Sequence, residues 1–223
     1  MRTVEEIRAH FLERLALALK RPGMFGGPNI IRELLNYLVF IDENEKSYET
    51  LIAEERFVRY FGPGWIAAPF WWKFGGKYDR YANEVSSVYA EIAYQLGYAK
   101  LDRNLDAGEW RSLRKGLRKR IQERDWTVSD VVQEFGPSSF RTGLTWQQIL
   151  CYSNGVIGDE WVFFDFEAKQ GDEWPLGSKW PPEDFKDVSN PPLRNVRLPA
   201  KDFSHSLVLT PFGRTSAILP IQY

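Results

Sequence analysis

Asp165 and Glu167 alternate with Trp161 and Phe163 along one face of a predicted strand at residues 161–169. Alternate residues of a β-strand point to the same side, so the two carboxylates should stand about 6–7 Å apart. A pair of carboxylates at that separation could act as general acid and general base. The neighbouring tryptophan and phenylalanine favour a different interpretation, in which this face is exposed and binds a basic partner. We predict the binding role and keep acid–base chemistry as an alternative.

The predicted partner-binding surface continues into the segment that follows this strand. Residues 170–200 contain six prolines and two tryptophans, which indicates a long irregular loop. Loops of this length in compact domains often carry a function, and tryptophan is enriched among the residues that dominate binding energy. The predicted partner-binding residues are therefore Trp161, Phe163, Asp165, Glu167, Trp174 and Trp180.

A second candidate surface is the basic stretch at residues 107–124, which is predicted as one helix. Apolar residues recur within it at helical spacing, at Trp110, Leu113, Leu117 and Ile121. This pattern gives an amphipathic helix with one basic face. Such a face can contact the phosphates of nucleic acid or an acidic partner; it is also typical of a solvated face whose charge is balanced nearby. The candidate nucleic-acid contacts are Arg111, Arg114, Lys115, Arg118 and Lys119.

Nucleophiles and metal ligands are scarce, because the chain has one cysteine and two histidines. His10 has no second histidine nearby, which favours a helix surface over a metal site. Cys151 has no cysteine-protease signature around it and is predicted to be a buried thiol. Ser204 and His205 are adjacent on a predicted strand and therefore point to opposite faces. We predict no catalytic residue, no metal and no cofactor.

The composition narrows the class of protein. A net charge of −1 over 223 residues excludes polyanion binding driven by the charge of the whole molecule. A single cysteine permits no internal disulfide, which is typical of a reducing cytosol. The first residues lack the apolar core of a signal peptide, and no stretch reaches the roughly 18 apolar residues of a membrane helix. We therefore expect a cytoplasmic protein that does not bind membranes.

The N-terminal half is predicted to be helical. Thr3 and Glu6 form a capping box at the start of a helix over residues 3–20. Further helices are expected at residues 29–41, 47–61 and 77–97. The loop at residues 64–76 is rich in tryptophan and phenylalanine, and it is expected either to pack on the helices or to form an aromatic contact surface.

The C-terminal half is predicted to contain one helix and four antiparallel strands. The helix, at residues 127–135, has a threonine cap, an apolar stripe and a stop at Gly136-Pro137. The strands are expected at residues 144–153, 161–169, 204–210 and 215–221. Together these elements predict an α+β fold, with an all-helical domain at residues 1–125 and an α+β antiparallel-sheet module at residues 126–223.

One part of the chain resembles known families. The sequence V-S-D-V-V-Q-E-F-G-P-S at residues 128–138, with the aromatic strand W-V-F-F at 161–164, resembles the helix-plus-meander repeat of the BamE-like lipoproteins and the β-lactamase-inhibitor families. The resemblance implies a binding module and not an enzyme. In addition, R-P-G-M-F at residues 21–25 resembles a phrase of short bacterial proteins of no known function.

These observations lead to one predicted function and two alternatives. The chain is predicted to be a bacterial, non-catalytic protein that occupies a protein partner such as a toxin or an enzyme, as an immunity, inhibitory or regulatory protein. Nucleic-acid binding through the basic helix is the first alternative. An enzyme of unrecognised type that uses Asp165 and Glu167 is the second; it requires a cleft around them and a carboxylate with a raised pKa.

Overall fold

The computed structural model describes residues 3–43, 66–75, 81–144, 147–167, 189–199 and 206–217. These residues form eight α-helices, one 3-10 turn and a five-stranded antiparallel sheet, which confirms the α+β class. The helices are α1 (Val4–Lys20), α2 (Gly27–Ile41), α3 (Ala68–Phe74), α4 (Ala82–Gln95), α5 (Ala107–Arg114), α6 (Leu117–Glu123), α7 (Val128–Phe135) and α8 (Pro211–Ser216). The strands are β1 (Phe140–Leu144), β2 (Gln147–Tyr152), β3 (Val162–Glu167), β4 (Leu193–Arg197) and β5 (Leu207–Leu209).

The first helix begins as its sequence predicts. The Thr3 backbone N–H donates to the Glu6 carboxylate at 2.8 Å, and the Glu6 backbone N–H donates to the Thr3 hydroxyl at 3.2 Å. These two bonds satisfy amides that have no partner within the helix. The capping-box prediction is confirmed, and so are helices at residues 29–41 and 77–97, the second of which is shorter than expected. The predicted helix at residues 47–61 lies outside the described residues.

The basic stretch is two helices and not the single helix that its spacing predicts. Gly116 separates α5 from α6 with a φ of +64°, a conformation that costs glycine little because it has no Cβ. Arg120 stabilises the break, since its guanidinium donates to the carbonyls of Ser112 and Leu113 at the end of α5. Leu113 and Leu117 stay buried on either side of the break.

The aromatic stretch at residues 64–76, predicted as a loop, contains helix α3. Phe70 and Phe74 of this helix are buried in the core formed with α1, α2 and α4. Trp72 stays 46% exposed. Within the described part of this stretch, packing on the helices is therefore the main role.

The sheet is a meander in the order β1-β2-β3-β4-β5, with each strand antiparallel to its neighbour. One face of the sheet, which includes Ile149 and Phe163, packs with residues of α1 to α4. The other face, which includes Leu150 and Phe164, packs with residues of α5 to α7. Helices therefore cover both faces, and every residue of β2, β3 and β4 is buried.

Two strands appear where none was predicted, and one predicted strand is different. β1 lies in the connection after α7, and β4 lies within the proline-rich segment that was predicted as a loop. Residues 211–216, predicted as a turn and the start of a strand, form α8 instead. The Thr210 hydroxyl accepts from the Gly213 N–H and caps this helix, with Pro211 in its first turn.

The predicted boundary near residue 125 does not divide the core. Each of the two apolar clusters takes residues from both sides of it, such as Ala93 with Phe163, and Leu113 with Phe164. The boundary stays a prediction. None of the described helices has the length and apolar character needed to cross a bilayer.

Candidate functional site

The predicted partner-binding face of β3 is buried. Trp161, Phe163, Asp165 and Glu167 are each at most 5% exposed. The prediction that they form an exposed outer face is wrong, because helices α1 to α4 cover this side of the sheet as α5 to α7 cover the other. Trp174 and Trp180 lie outside the described residues, so their partner-binding role stays a prediction.

The two carboxylates of β3 belong to a buried group of five ionisable side chains, the charge cluster. Arg197 donates to both oxygens of Asp165, at 3.2 and 3.3 Å. Arg194 bridges Glu167 and the α4 residue Glu84. All five side chains are at most 5% exposed. The cluster therefore joins strands β3 and β4 to helix α4.

Aromatic rings of α3 and β3 cover the arginines of the charge cluster. The Arg194 guanidinium carbon lies 4.2 Å from the centre of the Phe74 ring, and that of Arg197 lies 4.0 Å from the Phe163 ring and 5.3 Å from the Phe70 ring. Such cation–π contacts are stronger when water is excluded. The covering rings keep the cluster dry and tie α3 to the sheet.

The charge cluster contains one carboxylate more than it has guanidinium groups. Burial, opposed by the charge of Arg194 and aided by the charges of Asp165 and Glu167, raises the pKa of Glu84 to about 7. A carboxyl group with a pKa near neutral pH can act as a general acid or a general base. The enzyme alternative requires such a carboxylate with a raised pKa. Glu84, however, is 1% exposed, so a substrate has no access to it in this structure. In the structure, the ion pairs of the cluster connect α4, β3 and β4.

The described part of the chain offers neither a metal-binding site nor a reactive thiol. No group of three or more histidine, cysteine, aspartate or glutamate side chains there has a geometry that could hold a metal ion. Cys151 is a buried free thiol, as predicted. Burial raises its pKa well above the ordinary value, so the thiol stays protonated.

An open groove of about 740 Å³ lies between α5 and the connection from β2 to β3. We call it the basic groove. One wall carries three exposed cations, and the rest of the lining is mostly apolar. Its lining residues are Leu105, Ala107, Trp110, Arg111, Arg114, Lys115, Asn154 and Val156. Three of the five predicted nucleic-acid contacts therefore meet in one place, while Arg118 and Lys119 lie on α6 and do not line the groove.

Local hydrogen bonds fix the cationic wall of the groove. Asp106 caps α5 by accepting from the N–H groups of Gly108 and Glu109 at 2.7 and 2.9 Å, and the Glu109 carboxylate accepts from the Asp106 N–H at 2.9 Å. Leu113, on the opposite side of α5, is fully buried in the core. Helix α5 therefore presents its arginines from a fixed base.

The opposite wall is also held in place. The Leu105 N–H donates to the Ser153 carbonyl at 2.9 Å, which joins the chain before α5 to the end of β2. The Tyr94 hydroxyl of α4 donates to the Gly155 carbonyl at 2.6 Å. Gly155 also packs so closely on Asn104 that a Cβ would lie 2.4 Å from the amide carbon of that side chain. The groove is thus preformed by contacts from three separate elements.

The cations of the groove differ from other basic residues of the same stretch. Lys119, Arg120 and Arg124 pair with carboxylates at 3.6, 2.8 and 3.9 Å. Within the part of the chain that the structure describes, Arg111, Arg114 and Lys115 form no ion pair within 4 Å, although Arg114 feels the charge of nearby Glu160. Lys119, Arg120 and Arg124 therefore have the balanced charge that was predicted, whereas the groove cations have no carboxylate within 4 Å among the described residues.

Comparison of the chain with protein-family models, with curated proteins and with solved structures finds no match. The resemblance to BamE-like and β-lactamase-inhibitor modules therefore stays a prediction. The function has to be argued from the geometry of the groove and of the charge cluster.

Several residues of both features escaped the sequence analysis. Glu84 lies in a helix predicted from its tyrosines, and Arg194 and Arg197 lie in the segment predicted as a loop. The alternation in Leu193-Arg194-Asn195-Val196-Arg197 is a strand signal that could have identified the two arginines. Leu105 and Val156 carry no such signal, because the fold brings them together from distant parts of the chain.

Proposed function

We propose that the protein is a non-catalytic binding protein that holds an acidic surface of a protein partner in the basic groove. The observation that carries this proposal is the set of three exposed cations, Arg111, Arg114 and Lys115, which form no ion pair with the described residues and stand beside an apolar wall. An immunity, inhibitory or regulatory role would follow from occupying the partner. We therefore assign partner binding to the basic groove and no longer to the face of β3.

The arrangement of the cations supports an anionic partner. Arg111 and Arg114 are three residues apart on α5, where like charges are neighbours and destabilise a helix by about 0.2–0.5 kcal/mol. Lys115 follows directly and adds a third positive charge. A bound carboxylate would relieve this repulsion, and the planar guanidinium groups suit bidentate contact with it. Complementary charge of this kind mainly increases the rate and specificity of association.

Nucleic acid is the second candidate partner, and the same three cations favour it. Phosphate binding would make the affinity fall steeply with salt, with a slope set by the number of contacts. Carboxylates pair with Lys119, Arg120 and Arg124. These ion pairs shorten the basic surface along which a nucleic-acid backbone could bind. We therefore place this candidate second.

A capture experiment tests the proposed function. We expect the wild-type protein, immobilised, to retain a stoichiometric protein from native lysate, and the double variant Arg111→Glu/Arg114→Glu to lose it. Lys119→Glu is the matched control, because Lys119 belongs to the same basic stretch but lies outside the groove. Ultraviolet absorbance of the eluate reports bound nucleic acid.

The outcomes separate the two candidates. A protein retained equally by the wild type and the double variant would contradict a role for the groove. Nucleic acid retained by the wild type, and lost at high salt and in the double variant, would favour the second candidate. Circular dichroism of each variant checks that the exposed substitutions leave the fold intact.

A further inference from the structure

The apolar side chains of the basic groove restrict the chemistry of the partner. Leu105, Ala107, Trp110 and Val156 line it together with the cations. Val156 is 52% exposed, so an aliphatic side chain of the lining stands in water. Covering such side chains is favourable by roughly 25 cal/mol for each Å² of apolar surface removed from water.

We infer that the groove binds an acidic–aliphatic segment of a partner protein, in which carboxylates alternate with leucine-like side chains. The carboxylates would meet Arg111, Arg114 and Lys115, while the aliphatic side chains would pack against the exposed Ala107 and Val156. This inference rests on the proposed function and names the chemistry that the site selects. Charge alone would accept any polyanion, whereas the apolar wall favours a partner that also carries apolar side chains.

The surroundings of Trp110 favour a peptide over a single-stranded nucleic acid. The Arg114 guanidinium lies over the Trp110 ring, 5.5 Å from its centre. The ring also packs against the core beneath α5, α6 and α7. Proteins that bind single strands stack bases on free aromatic faces, whereas Trp110 is only partly exposed and is shared with Arg114 and the core. It contributes apolar surface to the groove.

Labelled probes of matched charge test the inference by fluorescence anisotropy. One probe is a short peptide of Glu-Glu-Leu repeats, the second has serine in place of each leucine, and the third is a single-stranded oligothymidylate. We expect the leucine peptide to bind about tenfold more tightly than the serine peptide, a difference of about 1.4 kcal/mol. Val156→Ser should reduce this ratio, and Ile157→Ser, at an exposed neighbour that does not line the groove, should preserve it. Arg114→Glu should weaken both peptides, whereas Lys119→Glu should weaken neither.

Three outcomes would overturn the inference. Equal binding of the two peptides would mean that the apolar wall is not used, and the proposed acidic partner would stand without it. Tighter binding of oligothymidylate than of either peptide would assign the groove to nucleic acid. If no probe binds, the inference that the groove binds an acidic–aliphatic segment is rejected. The proposed function would still be supported by a captured protein whose binding depends on Arg111 and Arg114.

Discussion

Glu84 is the residue at which the fold and the solution pH are coupled. Its pKa is about 7 in the folded protein and would be about 4.5 in an unfolded chain. At a pH between these two pKa values, Glu84 therefore keeps its proton in the folded state but has lost it in the unfolded state. The contribution of this proton to stability is complete below pH 4.5 and is lost as the pH rises through 7.

We expect the free energy of unfolding to fall between about pH 5 and pH 8, by up to about 3 kcal/mol from Glu84 alone. Glu84→Gln, which resembles the protonated side chain, should flatten this dependence. Urea unfolding at several pH values measures it. Glu109→Gln is the control, because hydrogen bonds to the Asp106 N–H and to Arg103 lower the pKa of Glu109 and move its titration out of this window. A slope unchanged in Glu84→Gln would refute the assignment.

Arg197 is the second residue at which the charge cluster makes a prediction. Its removal would leave the Asp165 carboxylate, 1% exposed, without its ion-pair partner. Breaking a buried pair on one side costs about 3–5 kcal/mol, so Arg197→Ala should be strongly destabilising. The double variant Asp165→Asn/Arg197→Met removes both charges and should recover part of the loss.

Chemical denaturation of the Arg197 variants and of a surface pair measures the difference. Arg8 and Asp42 form an ion pair of 2.7 Å, but their side chains are 39% and 22% exposed. Exposed pairs contribute about 0–1 kcal/mol, so Arg8→Ala should cost much less than Arg197→Ala. Similar losses from both substitutions would show that the buried pair does not hold β4 on β3.

At the scale of single elements, the hairpin of β1 and β2 depends on one glycine. Gly143 has a φ of +93°, and a Cβ at this position would lie 2.3 Å from the Gln147 carbonyl oxygen. Gly158 has the same φ, but a Cβ there would meet nothing within 4 Å. The two positions share the cost of the left-handed conformation and differ only in the steric clash.

We expect Gly158→Ala to destabilise the protein by about 1–2 kcal/mol, the cost of a left-handed conformation with a Cβ. Gly143→Ala should cost clearly more, because the β1 and β2 backbones would have to move apart. Thermal unfolding of the two variants makes the comparison. Equal melting temperatures would mean that the hairpin relaxes without loss and that the close approach is unimportant.

At the scale of the whole molecule, elements with strong local sequence signals could be predicted. The packing of helices on both faces of the sheet could not. The capping box at Thr3, the threonine cap at Thr127 and the strand pattern around Phe164 appear in the structure as expected. The period of two in β3 is compatible with one covered face or with two. Only the packing of α1 to α4 decides between them, and that packing depends on contacts between distant residues.

The groove could be predicted only in part, because some of its residues belong to a local sequence pattern and others come together only in the fold. The cations at Arg111, Arg114 and Lys115 belong to one local pattern, so the sequence could identify them. The break at Gly116 and the pairing of Arg120 with Glu134, which limit the charge to the groove, depend on tertiary contacts. Val156 completes the site from the connection between β2 and β3, and no local pattern links it to α5.

The position of Cys151 has a practical consequence for studying the sheet. It is fully buried near the end of β2, and it is the one thiol in the sequence. An alkylating reagent can reach it only when the layer of helices and the central strands separate, and reaction needs the thiolate, which burial suppresses. The rate of labelling therefore reads out the opening of the core directly. The chain thus carries its own reporter for the stability of the layer on which both the charge cluster and the groove are built.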